Sequence, residues 1–459
     1  MTGPPRRVDV DVVVAGAGAA GLTAALSAAE QGCTVVLAEA RETFRQGSNT
    51  SMSTSMVPAG GSRWQRAAGI DDSPEQFFDD IMRKTKHQAD RRLAAALTDV
   101  APDLVGWLAD RCGVRLELVT DFSYPGHSRD RCHAVPDRAG RTLQAHLLDA
   151  VAADERITFV VPLRVTDVAV EGDRTRAAVV ERPDGSVEEI ATGAVVLATN
   201  GFAANPELVG RHIPEIAEGL YHGGDGSTGD ALAIGERLGV DTGYLDAYQG
   251  HGSVAVPHRI LLTWATVMHG ALLLNTRGER FDDETIGYSE FGARVVAQPD
   301  GQAWMVFDAR VDAACRPFAD YQHILDAGAL RWAEDAAALA ALIGADPDTV
   351  RGTIASAEAA ARGDVPDPFG RTHWEAALEP PYAAVKVTGA LFHTQGGLLV
   401  DGHGRVLRSG EPLTGLYAAG GAAAGISGHG ADGYLAGNGL LSALGLGYLA
   451  GRDLATVRP

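Results

Sequence analysis

What the 459-residue chain has little of narrows the reading first. It holds four cysteines, Cys33, Cys112, Cys132 and Cys315, far apart and without a C-x-x-C pair. That excludes a disulfide framework and a thiolate metal site, and it predicts reduced thiols in a cytoplasmic protein with no bound metal. Positive charge is scarce: 39 Lys and Arg against 59 Asp and Glu leave a formal net charge of −20. Such a surface repels phosphate backbones and anionic lipid, and no block of like charge offers an exception, so neither nucleic acid nor membrane is an expected partner. Long apolar runs are also missing. The opening segment, Met1 to Arg7, has no apolar signal-peptide core. The most apolar late stretch, Gly437 to Gly451, is shorter than the roughly 18 residues of a membrane span and carries five glycines and Asn438. It predicts a helix packed against another element.

What is there begins with residues 12–21, Val-Val-Val-Ala-Gly-Ala-Gly-Ala-Ala-Gly. A buried-strand pattern runs into Gly16, Gly18 and Gly21, and a second apolar run, Cys33 to Ala38, ends in the acid Glu39. Strand, helix, strand and acid at this spacing form a dinucleotide-binding fingerprint. Gly16 permits the tight turn, Gly18 lets backbone N–H groups approach a pyrophosphate, Gly21 lets the helix pack on the sheet, and Glu39 can accept from a ribose hydroxyl.

A chain of this length exceeds one compact core and predicts about two domains. Buried parallel-strand patterns recur at Val195–Gly201 and Gly415–Gly421, each ending in glycine. Helical patterns occupy Pro74–Thr85 and Leu93–Ala109, and a small sheet is expected from Val165–Val170 and Ala177–Glu181 before the turn Pro183–Gly185. From 251 to 377 the character changes to mixed strands, a charged turn at Asn275–Arg280 and an alanine-rich helical run near 333–343. The expected architecture is α/β: a Rossmann-like nucleotide-binding domain of residues 1–250 and 378–459, with an inserted α+β cap of 251–377.

These motifs together resemble the flavoprotein superfamily of fumarate reductases, succinate dehydrogenase flavoproteins and 3-ketosteroid Δ1-dehydrogenases, over nearly the whole chain. Beside the fingerprint, Gly47–Ser55 is similar to the segment that lies along the flavin, Ala198-Thr-Asn-Gly-Phe202 to a second flavin-side turn, and Thr394–Asp401 with Gly415–Gly420 to the closing signature. The resemblance implies FAD in a glutathione-reductase-type domain. It sets the cofactor against Gly16, Gly18, Ala19, Ala20 and Gly21, then Glu39 and Ala40. Ser48, Asn49, Thr50 and Ser53 follow, then Thr199, Asn200 and Gly201, then Asp230. Gly420, Asn438, Gly439, Leu440 and Leu441 complete the set. Succinate dehydrogenases bond FAD through a histidine just before the threonine of the early segment; this chain has Asn49 before Thr50, which implies non-covalent FAD.

The family's shared geometry passes a hydride between a substrate carbon and flavin N5 while a proton moves on the adjacent carbon. Fumarate reductases use one arginine as proton donor and another as carboxylate clamp. The matching stretches here, Gly278-Glu-Arg-Phe-Asp-Asp-Glu-Thr-Ile-Gly-Tyr288 and His429-Gly-Ala-Asp-Gly-Tyr434, carry tyrosines at those places. That is similar to the ketosteroid dehydrogenases. It implies Tyr288 as base and Tyr434 as donor to a ketone oxygen, with backbone N–H help from Gly437 and the neighbouring glycine run. Tyrosine, ordinarily near pKa 10, makes a base only where its anion is stabilised. Tyr124, in Asp121–His127, is a candidate for the ring pocket.

Two histidines, His251 and His393, resemble the pair that holds a carboxylate in the reductases. The threonine–glutamate pair for a second carboxylate is replaced by Thr263-Trp264. The expectation is an FAD-dependent dehydrogenase that desaturates a cyclic ketone, of the 4-oxocyclohexanecarboxylate kind, with oxygen or a carrier as electron acceptor. Alternatives are an enoate reductase, a 3-ketosteroid dehydrogenase, or a flavin-binding protein without turnover.

Overall fold

The computed structural model describes residues 10–121, 124 and 126–456. The opening segment and Phe122, Ser123 and Pro125, part of the stretch carrying Tyr124, lie outside the described residues. The chain divides into two compact units: one of residues up to His212, Gly223–Tyr248 and His393 onward, the other of Ile213–His222 and Gln249–Phe392.

The first unit is built on parallel strands in the order Ile157–Val160, Val35–Ala38, Val10–Ala15, Val187–Leu197 and Glu411–Ala418. Val12 sits opposite both Val35 and Ala194, and Leu416 opposite Val195. Runs such as Val12-Val13-Val14 are buried throughout, as a parallel strand covered on both faces requires. The antiparallel pair Arg164–Glu171 and Arg174–Glu181 extends the sheet where the sequence predicts it.

The helix Ala19–Glu30 follows the glycine turn, and the last helix, Asn438–Asp453, lies on it. Contact is close because the last helix turns glycines to its partner: a Cβ on Gly447 would sit 2.4 Å from Ala20 O, and one on Gly451 2.5 Å from Ser27 Cβ. The glycines of the late apolar stretch are thus a packing face. Among the described residues no helix is long and apolar enough to cross a membrane, and all four cysteines are buried and outside any disulfide.

The second unit holds a largely antiparallel sheet in the order Ile260–Leu261, Tyr248–Ala255, Tyr382–Thr394, Gln302–Asp308 and Leu272–Asn275. Its largest strand, Tyr382–Thr394, lies beyond the 377 boundary that composition suggests. Its apolar start, Tyr382-Ala-Ala-Val385, reads equally well as either unit's core, and only its pairing with Gln302–Asp308 decides. Leu220–Tyr221 pairs with the same strand, which brings 213–222 into this unit.

Candidate active site

In the first unit the sheet ends meet at the glycine turn. Gly16 has φ +106°, and a Cβ there would stand 2.4 Å from Ala198 O, so only glycine lets this turn pass the end of Val187–Leu197. Gly18 caps the helix that opens with the buried Ala19 and Ala20. Glu39 lies beneath: Oε2 accepts the Ala17 N–H and Oε1 the Arg41 N–H, both at 2.8 Å. Burial raises its pKa, opposed by those backbone donors. A carboxylate offers about four lone pairs, so further acceptor sites remain for hydroxyls.

Thr50 Oγ1 accepts the Ala19 N–H at 2.8 Å, and Ser48 caps the short helix Asn49–Met52. Asn49 Oδ1 accepts the Gly224 N–H at 2.6 Å, and Ser53 Oγ donates to Thr50 O. Asn200 (φ +66°) donates from Nδ2 to Ser227 Oγ and accepts from Gly201 N–H. Gly420, also at positive φ, approaches Ala20. Four of the buried polar atoms without a partner among the described residues lie beside Asn200 and on the last helix: Thr199 Oγ1, both side-chain amide atoms of Asn438, and Ser442 Oγ. Buried polar groups are normally satisfied, so these ask for a polar ligand.

Asp230 accepts two bonds from Arg164, at 2.9 and 3.0 Å, which ties its helix to the sheet pair. Leu441 is fully buried in the core and its N–H is bonded within the helix to Gly437 O.

Tyr434 is buried, and its hydroxyl oxygen accepts the Gly439 N–H. Burial raises its pKa, so it stays protonated and remains an O–H donor. His393 lies edge-on to it, ring centroids 5.7 Å apart. Gln395 fixes the imidazole: its Oε1 accepts from Ser427 Oγ at 2.9 Å, and its Nε2 donates to His393 Nδ1 at 2.9 Å. The longer contact of Nδ1 with Thr394 O, 3.4 Å, loses to that shorter bond. With Nδ1 accepting, Nε2 carries the hydrogen. Burial pushes His393 down to about 4, so it is a neutral donor at neutral pH. His127 Nε2 lies 3.1 Å from Ala436 O and holds the loop into Gly437 (φ +83°), the residue before the last helix. Tyr124 packs on Met56, Val119, Cys132 and Ala134.

In the second unit Tyr288 opens the helix Tyr288–Val296 after Gly287. The Gly278–Glu284 stretch leading to it is anchored by buried charges. Arg280 donates to Glu284 at 2.7 and 2.9 Å and to Asp367, and Arg371 reaches Glu284 at 3.1 Å. Gly292 lets this helix lie directly on the strand Tyr248–Ala255, since a Cβ there would meet His251 N at 2.9 Å. The result is an aromatic cluster. His251 stacks on Tyr288 (5.0 Å, 20°) and on Phe392 (5.3 Å, 21°), with Trp264 edge-on at 5.6 Å. Burial, then repulsion from His222, pushes His251 down to about 3. Trp264 Nε1 is buried with no partner among the described residues. Thr263 makes the turn before Ala265–Met268, accepting from Ala265 N–H and Thr266 Oγ1.

Sequence reasoning missed the supports, Gln395, Ser427, Ser253 and His127. Gln395 and His127 sit inside motifs already singled out; Ser253, two residues from His251 on one strand face, had a readable period-2 signal; Ser427 had none.

A family model described as FAD binding domain matches residues 11–440. The chain is 30% identical over 451 residues to the NADH:fumarate oxidoreductase of Klebsiella pneumoniae, covering 97% of this chain and 47% of that protein, so it spans about half that relative's length. It is 25% identical to the 4-oxocyclohex-2-ene-1-carboxylate 5-dehydrogenase of Sinomonas cyclohexanicum, over 98% of this chain and 94% of the relative. Among solved structures it is similar to the open conformation of a flavocytochrome c3 fumarate reductase, with TM-score 0.82, 26% identity and coverage of 99% and 79%. It shares the fold of the 3-ketosteroid Δ1-dehydrogenase of Sterolibacterium denitrificans, with TM-score 0.79, 20% identity and coverage of 98% and 100%.

Proposed function

The chain belongs to the FAD binding domain family, and from that premise we propose that it is an FAD-dependent dehydrogenase that introduces a double bond α,β to a ketone in a small ring substrate, of the oxo-cyclohexane carboxylate kind. FAD, the family's cofactor, supplies the two-electron chemistry when bound. The residues present fit it: a turn through Gly16 and Gly18 at a helix N-terminus, an acid beneath that turn, and the unpartnered Asn438 amide and Thr199 and Ser442 hydroxyls.

The observation that carries the reading is the neutral donor pair Tyr434 and His393. Where the fumarate-reductase pattern has a clamping arginine, this chain has a buried phenol that stays protonated, next to an imidazole N–H. Two uncharged donors suit a carbonyl oxygen that gains enolate character as its α proton leaves. Tyr288 takes that proton. The electrons then leave to oxygen or a carrier. A 25% identical relative whose name specifies an oxocyclohexene carboxylate supports the ring and the ketone.

The second reading is an enoate reductase, favoured by the 30% identity to a fumarate oxidoreductase. Anaerobic mixing separates the two. Bleaching of the oxidised flavin by 4-oxocyclohexanecarboxylate is the expected result. Reoxidation of the reduced enzyme by an enoate, without bleaching by any cyclic ketone, would replace the dehydrogenase by the reductase.

Attachment of FAD is proposed to be non-covalent, because the amide of Asn49 is no nucleophile and is already bonded to Gly224. Acid precipitation should leave the yellow colour in the supernatant; denatured chain carrying the mass of FAD would overturn this.

A further inference from the structure

We propose that His127 is a positioning residue for the reaction: it holds the carbonyl of Ala436 and thereby keeps the other side of the same peptide, the Gly437 N–H, as a donor to the ketone oxygen of the substrate. The inference rests on the reading of the chain as a ketone dehydrogenase. It starts from the three N–H groups that lead into the last helix. Asn438 N–H is bonded to Leu435 O, and Gly439 N–H to the Tyr434 hydroxyl. Gly437 N–H meets no acceptor among the described residues, so of the three it alone remains for a ligand.

The backbone by itself does not set which way that N–H points. Turning the Ala436–Gly437 peptide over changes ψ of Ala436 and φ of Gly437 together, and glycine, here at φ +83°, accepts either sign. In a planar trans peptide the carbonyl and the N–H point opposite ways, so whatever holds one fixes the other. His127 Nε2 lies 3.1 Å from Ala436 O. A carbonyl can only accept, so Nε2 carries the imidazole hydrogen. The buried thiol of Cys132, 3.9 Å from the same oxygen, is a weaker second donor. Turned over, the peptide would present its carbonyl to the ketone oxygen and leave His127 facing an N–H.

The histidine is itself held in place. Its ring packs on Phe77, centroids 5.9 Å apart, and Arg131 lies over the Phe77 ring at 4.8 Å. The next residue, Ser128, gives its N–H and its hydroxyl to Asp80, each at 2.8 Å, and Arg131 ties Asp80 to Asp72. Burial, then the Arg131 charge, pushes His127 down to about 4, so at neutral pH the ring has one hydrogen and Ala436 takes it.

Two variants separate the donor from the ring. His127→Gln keeps an N–H for Ala436 O and loses the ring; His127→Phe keeps a ring on Phe77 and loses the N–H. Anaerobic mixing with 4-oxocyclohexanecarboxylate should give a limiting rate of flavin reduction about 10–10²-fold lower in His127→Phe, with KM within about threefold, and close to the parental rate in His127→Gln. A packing role predicts the reverse order. A readout without turnover uses 4-hydroxybenzoate and its 3-fluoro and 3,5-difluoro derivatives, titrated into the oxidised holoenzyme and followed by the flavin absorbance. The phenol oxygen stands in for the developing enolate and gains charge along that series. Affinity should rise about tenfold from first to last in the parent and in His127→Gln, and clearly less in His127→Phe. FAD content should stay parental in both variants. The parental rate and the parental rise in His127→Phe would overturn the proposal, as would an equal loss in both variants or a parent whose affinity ignores the series. Loss of bound FAD from His127→Phe would make the residue structural and overturn it too. Absence of bleaching by any cyclic ketone, with the affinity rise present in the parent and lost in His127→Phe, would remove the dehydrogenase and leave the His127 assignment standing.

Discussion

Tyr288→Phe should slow flavin reduction by about 10²–10⁴-fold while leaving FAD content and ligand binding close to the parental values. The magnitude is the usual loss for one acid–base group in a proton transfer. The sparing of the rest follows from where the residue sits. Its ring stacks on His251, and phenylalanine keeps that stack. The segment that delivers it is held by the Arg280, Glu284, Asp367 and Arg371 charges, which the substitution does not touch. Rapid mixing with 4-oxocyclohexanecarboxylate under anaerobic conditions gives the rate, and the flavin spectrum gives the content. Flavin reduction at the parental rate would remove Tyr288 from the proton transfer. A collapse in FAD content would make it a structural residue instead.

The nucleotide-binding turn was legible because it is local. The φ of Gly16, the approach of Gly21 to the turn and the return of Glu39 to Ala17 follow from spacing along one strand–helix–strand unit. The last helix was legible for a related reason, since glycine at intervals in an apolar run marks a face that another backbone must approach. The edge of the second unit was not. Tyr382–Thr394 is apolar enough for either core, and its partner strand lies some 80 residues upstream by the registers of Gln302 with Thr388 and Asp308 with Tyr382.

Asp230 shows what local spacing leaves out, since its partner Arg164 lies 66 residues away in sequence. The histidines show a different limit. Residue type places an imidazole in a site, but which nitrogen bears the proton is set by Ser253 and Leu262 in one case and by Gln395 and Ser427 in the other. A resemblance that matches histidine to histidine carries no information about that choice.

Tyr434→Phe should lower the limiting rate of flavin reduction by about 10²–10³-fold, the cost of losing one donor to a developing oxyanion. The effect belongs mainly in kcat, because the bond strengthens as the carbonyl oxygen gains charge, and less in KM, which reports the uncharged ketone. His393 Nε2–H remains and sets the floor of the loss. The substitution also strips the Gly439 N–H of its acceptor, so a fall in stability of about 1–3 kcal/mol should accompany it. The two effects are separable by temperature: working well below the variant's melting point leaves only the rate term. The sign of the pH dependence follows from burial. The Tyr434 hydroxyl is held above the ordinary tyrosine range, so it remains a donor as pH rises. Any alkaline limb in the wild-type rate profile then belongs to another group and should persist in Tyr434→Phe at the reduced rate. An unchanged limiting rate would assign the ketone oxygen to other donors. Loss of the alkaline limb in the variant would mean that Tyr434 titrates in the working range, and with it the neutral donor pair would fall.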